Sequence, residues 1–226
     1  MTFTAPVKPA IKRELIPEDS YQAVCYSLYD LGTHDSEWKG QKRNRHLVML
    51  TWEIPALRIK YDKDGEEIEG PKVISKKYTW SMNENADLRK DMESWRGKGF
   101  TELEAKDFDF ETLLGANCML QILHKKPEGG EPYAYIASIT KIAKGQEKLI
   151  PENPKTFFTF RPPFVDDAGI HWPETMPEWV RNIVKESYEY NMTLDTPMED
   201  DPIVMDPDEE KIVDSLEKNE PDDIPF

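Results

Sequence analysis

A mainly β protein is predicted by three observations. The body of the chain opens with runs rich in aromatic and β-branched residues. The apolar period then changes once to a helical one. Two more strand-like runs follow, flanking a Gly-Gly turn.

Met1–Pro17 holds Pro6, Pro9 and Pro17 without periodicity and reads as a flexible arm (1–17). The first strand is expected over Tyr21–Tyr29, ending at Gly32. Trp38–His46, with Lys39, Lys42, Arg43 and Arg45, reads as a polar, basic loop. Leu47–Ile54 is a second strand stopped by Pro55, with Leu57–Tyr61 as an edge continuation and Asp62–Gly65 as a turn. Lys72–Ser81 is a third strand. Ala86, Leu88, Met92 and Trp95 then recur at helical spacing and end at Gly97. Thr101-Glu-Leu-Glu104 has the form of a capping box, and Phe108, Phe110, Leu113 and Leu114 make an apolar turn closing at Gly115. Cys118–His124 and Tyr133–Ile142 form a hairpin across Gly129-Gly130.

Three strands, a helical connection and two strands make the order of an OB-fold, a five-stranded Greek-key barrel with a helix between its third and fourth strands. Residues 18–145 suffice for it. An immunoglobulin-like sandwich fits less well, because Asn83–Gly115 is a long helical interruption. Residues 146–190 form an extension punctuated by Pro151, Pro154, Pro162 and Pro163. Its helix, Pro177–Tyr188, has a stripe of Trp179, Ile183 and Val184 that would dock on the barrel or on a second copy of the chain. Residues 191–226 have the composition of a disordered acidic tail.

The formal net charge is −15, but residues 191–226 hold 13 Asp and Glu against 2 Lys, a net of −11. The body therefore carries only −4, and the low pI does not argue against nucleic acid there. Cys25 and Cys118 sit in apolar runs and read as core residues; the four histidines are scattered, and no metal or cofactor motif is present. Without a signal peptide or an apolar run of spanning length, a soluble cytoplasmic protein is expected.

Single-strand binding without sequence preference needs cations for phosphates and open rings for bases. The basic loop supplies both: Trp38 beside Lys39, Lys42, Arg43 and Arg45. In the third strand Tyr78 and Trp80 share a face with Lys76, while Lys77 shares the other face with Ser75 and Thr79. The competing reading places Tyr78 and Trp80 in the core, where Trp52 is also expected. Tyr133 and Tyr135, near Lys125 and Lys126, are further candidates.

The chain ends Asp222-Asp223-Ile224-Pro225-Phe226, acidic residues before an aromatic one. A partner's pocket can take the ring while basic residues at its rim take the carboxylates. This ending resembles the tip of bacterial single-stranded DNA-binding proteins, with Pro221 where that family usually carries a third Asp. The resemblance implies recruitment of replication and repair proteins. Ile74–Thr79, Leu88–Gly97 and Leu113–Cys118 resemble phage-encoded single-stranded DNA-binding proteins with an OB-fold. That likeness, over about Tyr21–Ile142, implies sequence-tolerant binding during replication or recombination, no catalysis, and a host-cytoplasm location. Two other classes compete. A metal-dependent nuclease could use Glu66, Glu67 and Glu69 or Asp107 and Asp109, and an acidic interaction module or DNA mimic would act through its charge.

Overall fold

The structure, a computed structural model, describes residues 14–195 except Lys39, Asp64 and Asp167. The elements are β1 (Asp19–Trp38), β2 (Gln41–Lys63), β3 (Glu66–Thr79), α1 (Asp87–Arg96), α2 (Glu102–Lys106), a 3-10 turn (Phe110–Leu113), β4 (Asn117–Lys125) and β5 (Tyr133–Thr140). Short strands β6 (Thr156–Phe158), β7 (Val165–Asp166) and β8 (Gly169–Ile170) follow, then α3 (Glu178–Lys185) and α4 (Tyr188–Asp195).

The expected basic loop is strand instead. β1 and β2 continue through it as a hairpin, with Thr33 opposite His46, Ser36 opposite Arg43 and Trp38 opposite Gln41. Gly40, at φ 77°, makes the reversal in a conformation that side chains disfavour. Polar residues on both faces signal a loop when a strand is assumed to be half-buried. A two-stranded ribbon wet on both sides carries the same composition.

The sheet runs β3-β2-β1-β4-β5 with antiparallel neighbours, and β6 joins β1 in parallel. Among the described residues no hydrogen-bonded pairing joins β3 to β5, so the sheet is open, and α1 packs against both of those edges. The capping box at Thr101 is present, with Glu104 N donating to Thr101 Oγ1 at 3.2 Å.

Alternation along β2 builds two cores. Val48, Leu50, Trp52 and Ile54 face inward onto Leu88, Met92 and Trp95 of α1 and onto Leu120, Ile122 and Ile136. Trp52 and Trp95 lie 5.7 Å apart at their centroids. On the opposite face Met49 joins Tyr29 and Leu31 beneath Phe158, Met176, Val180 and Val184 of the extension. Glu53, also fully buried, accepts from the backbone N–H groups of Glu152 (2.6 Å) and Asn153 (3.0 Å) and from Asn153 Nδ2 (2.6 Å). This carboxylate fixes the start of the extension to β2.

α3 docks through Val180 and Val184, one turn apart and fully buried, with Ile183 partly buried beside them. Trp179, expected at the seam, is 52% exposed. The aromatic residue drew the expected stripe toward itself, but the small β-branched pair fits the flat sheet face. The helix breaks after Lys185, and α4 runs to Asp195, past the expected onset of disorder at Asn191. Asp222, Asp223, Ile224, Pro225 and Phe226 lie outside the described residues. No helix among the described residues is long and apolar enough to cross a membrane.

Val180→Ala removes buried methyl groups and leaves a void, so it should cost about 2 kcal/mol in denaturant unfolding. Trp179→Ala should cost under about 0.5 kcal/mol. The reverse ranking would place the helix on its other face.

Candidate nucleic-acid interface

The outer face of the sheet is mostly covered. Beneath the extension Met49, Thr51 and Glu53 of β2 are buried, but on the neighbouring strand Val73, Ser75, Lys77 and Thr79 are exposed. These four residues share one face by strand alternation. Register sets Lys77 opposite Met49, Ser75 opposite Thr51 and Thr79 opposite Leu47, and Thr51 Oγ1 lies 2.9 Å from Ser75 Oγ. Past Leu47 the extension no longer covers β2, and Arg45 and Arg43 emerge on that same face.

Lys42, Arg43, Arg45 and Lys77 are exposed and make no ion pair among the described residues. Other cations of the sheet are engaged: Arg58 pairs with Glu69 and Glu152, Lys60 with Glu67, and Lys72 with Glu14. Lys42 stands opposite Glu37 in the hairpin, so Arg43, Arg45 and Lys77 are the cations free to meet a phosphate.

Lys76 and Tyr78 turn inward, which corrects the expectation of a wet, ring-bearing face. Tyr78 is 3% exposed, and its hydroxyl donates to Asp91 Oδ2 at 2.8 Å. Lys76 Nζ lies 2.5 Å from the same oxygen, with its ammonium 5.1 Å from the Tyr78 ring centre. The trio ties β3 to α1. Burial and then the Asp91 charge push the Tyr78 phenol far above its ordinary value, so it stays a neutral donor.

Trp80 stands just past β3 and is 40% exposed. Its backbone N–H donates to His46 O at 2.8 Å. Its ring leans on Phe110 at 4.5 Å between centroids and lies 6.5 Å from His46. Held on one side and open on the other, it has the setting of a stacking platform. Lys39 and the Trp38 side chain lie outside the described residues.

At the β4–β5 tip Leu123, Lys125, Tyr133 and Tyr135 share a face, with Lys125 opposite Tyr133 and Leu123 opposite Tyr135. Tyr133 is 45% exposed, and the two rings lie 6.4 Å apart. The depression lined by Arg96, Phe100, Glu104, Asp107, Phe108 and Asp109 has an acidic rim that suits phosphate poorly.

Three of the carboxylates considered for metal chemistry, Glu67, Glu69 and Asp109, have other partners. Glu67 and Glu69 hold Lys60 and Arg58, and Asp109 caps the 3-10 turn by accepting from Glu111 N at 2.9 Å. Among the described residues no group of three or more His, Cys, Asp or Glu could hold a metal ion. Cys25 and Cys118 are buried thiols, each raised in pKa by burial.

One cluster escaped the sequence reading. His46 Nε2 lies 2.7 Å from Asp30 Oδ1, and Nδ1 lies 3.5 Å from Glu189 Oε1. Glu189 accepts from Thr33 N and Thr33 Oγ1, each at 2.6 Å, which pins α4 to β1. A Cβ at Gly32 would fall 2.5 Å from Ser187 Cβ, so this close approach requires glycine. No spacing in the chain links residues 30, 46 and 189; the β1–β2 register and the docking of α4 on Thr33 do.

Burial disfavours the His46 imidazolium, but the hydrogen bond and charge of Asp30, with the charge of Glu189, outweigh it against an opposing Arg161. Its pKa is held above the ordinary 6.5. The chain matches no family model, no curated protein and no solved structure in the comparisons made.

A histidine whose folded pKa exceeds its unfolded value stabilises the fold fully below the unfolded value, and that gain is lost as pH rises through the folded one. The melting temperature of the unaltered protein should therefore exceed that of His46→Gln most at about pH 5, with the gap narrowing toward about pH 8. Parallel melting curves across that range would remove His46 from the linkage.

Proposed function

We propose that the protein binds single-stranded DNA without sequence preference, as an OB-fold module. The strand order β3-β2-β1-β4-β5, with α1 between β3 and β4 and set against both sheet edges, supports that fold assignment. The observation that carries the functional reading is the juxtaposition of Arg43, Arg45 and Lys77 on one open face, without acidic partners among the described residues, while Trp80 stands exposed at the end of β3 on the alternate face, against Phe110. Cations on one face track a phosphate backbone, and a half-held indole stacks on any base for about 1–3 kcal/mol. Lys125, Tyr133 and Tyr135 offer the same pairing of chemistries at the β4–β5 tip. Base-edge readout would need polar side chains fixed by an extended hydrogen-bond network on this face; among the described residues two isolated pairs are joined there, Thr51 with Ser75 and Arg43 with Gln41.

The acidic segment 191–226 serves as a partner handle in this reading. Asp222 and Asp223 would meet basic residues on a replication or repair protein, and Phe226 would fill a pocket there. This part rests on the resemblance of the tip alone.

Titration of a fluorescent oligothymidine should quench tryptophan emission, with a much weaker response to duplex. Arg43→Ala, Arg45→Ala and Lys77→Ala combined should weaken binding and lower the log–log salt slope by about two units, at roughly 0.7 per lost contact. An unchanged slope would remove this face from the interface.

A chain ending at Asp195 should bind single strands equally or more tightly, because tethered negative charge no longer competes with phosphate. Deleting Phe226 should leave DNA affinity alone and reduce capture of host partners at least about tenfold, from the loss of one buried ring. Identical partner sets with and without Phe226 would end the handle reading.

A further inference from the structure

We propose that α4 is the brace that orders the β1–β2 ribbon for single strands, with Glu189 and Tyr188 as positioning residues of the interface; this rests on the single-strand reading above. The ribbon outruns the sheet. β4 leaves β1 at Val24 and β6 leaves it at Tyr29, while β3 follows β2 no farther than the pair of Leu47 with Thr79. Beyond these points Thr33–Trp38 and Gln41–Arg45 have each other as strand neighbours and no third strand beside them. A lone two-stranded hairpin is marginally stable in water. Arg43 and Arg45 stand on this part of the chain, so their placement depends on what else holds it.

Among the described residues, the hydrogen bonds that reach Thr33–Arg45 from other elements come from α4. Glu189 accepts from Thr33 N and Thr33 Oγ1, each at 2.6 Å, and Tyr188 Oη donates to Asp35 Oδ1 at 2.6 Å. At the base of the ribbon Glu189 Oε1 also lies 3.5 Å from His46 Nδ1. The carboxylate thus serves β1 where β6 has already ended. α4 is itself footed on the second core. Tyr190 lies 6.1 Å from Trp172 between ring centroids, Trp172 stacks on Phe158 at 5.3 Å, and Ser187, just before the helix, is fully buried against Gly32. Register decides what the brace leaves open. Thr33 and Asp35 stand opposite His46 and Asn44, whereas His34 and Ser36 stand opposite Arg45 and Arg43. By alternation α4 grips one face of the ribbon and the two cations belong to the other. An acid placed this way supports a cationic surface without pairing with it.

The full chain is titrated with a twenty-nucleotide oligothymidine, unaltered and as Glu189→Ala, Glu189→Gln and Tyr188→Phe. The alanine and glutamine variants lose the same charge, but the glutamine amide oxygen still accepts from Thr33. Charge alone would make both bind tighter, because an acid near the cations is gone. The brace predicts the opposite for alanine. Its binding should weaken about threefold or more, and amide exchange over 33–46 in the free protein should quicken about tenfold while β4 is unchanged. Glu189→Gln should keep the slow exchange and bind at least as tightly as the unaltered protein. Tyr188→Phe should loosen the ribbon and weaken binding to a smaller extent. Equal affinities for the alanine and glutamine variants, or a loosened ribbon with unchanged affinity, would overturn the role of α4. The single-strand reading would then still stand on the effect of removing Arg43, Arg45 and Lys77. Faster exchange throughout the body in the alanine and phenylalanine variants would assign both residues to the fold, and overturn the proposal. If the unaltered protein ignores oligothymidine, the single-strand reading fails and takes this assignment with it.

Discussion

Strand β1 must satisfy the N–H and C=O groups of both its edges along twenty residues, and the way it divides its partners organises the sheet. One edge belongs to β2 from Val24 onward. The other belongs to β4 over Asp19–Val24 and then to β6 over Ser27–Tyr29. The change of partner falls at the irregularity between Cys25 and Ser27, where Cys25 N donates to Ala116 O and Cys25 O accepts from Gly115 N. Without that handover the upper half of β1 would be a bare edge, open to pairing with any other strand. With it, the chain after Phe158 is delivered onto the outer face, and Phe158, Met176, Val180 and Val184 close over Tyr29, Leu31 and Met49.

That delivery decides where a ligand has room. An uncovered sheet would present β2 and β3 together. Here the extension takes β2 as far as Leu47 and leaves the outer face of β3, the hairpin beyond, and the margin at Trp80. Charge follows the same division. Acids near the site accept hydrogen bonds from backbone, hydroxyl or imidazole groups, while Arg43, Arg45 and Lys77 have no acidic partner among the described residues. A chain of net −15 can therefore carry a locally cationic face.

The strand and helix order was legible in the sequence, because period 2 in β2 and helical spacing in α1 are local patterns with strong burial behind them. Trp52 in the core, the capping box at Thr101 and the β4–β5 hairpin followed from the same local signals. What was not legible depended on partners far away in the chain. Tyr78 alternates correctly, but only the arrival of Asp91 on α1 shows that its face is the inner one. Nothing local in the basic stretch records that β1 continues opposite it, so its composition alone signals a loop. The docking of the extension's helix is legible, but not that Tyr29, Leu31 and Met49 are buried by it, so that residues on either side of position 145 share a core. The His46 cluster joins residues from three elements and left no spacing to find.

We propose that single-stranded DNA lies on the outer face of β3 and along the β1–β2 hairpin. Amide hydrogen exchange of the full chain, with and without a saturating oligothymidine, maps this directly. Slowed exchange should concentrate in segments 41–46 and 73–80, with α1 and β4 unaffected. Protection centred on α1 and the Phe100–Asp109 depression, or none anywhere in the body, would contradict it.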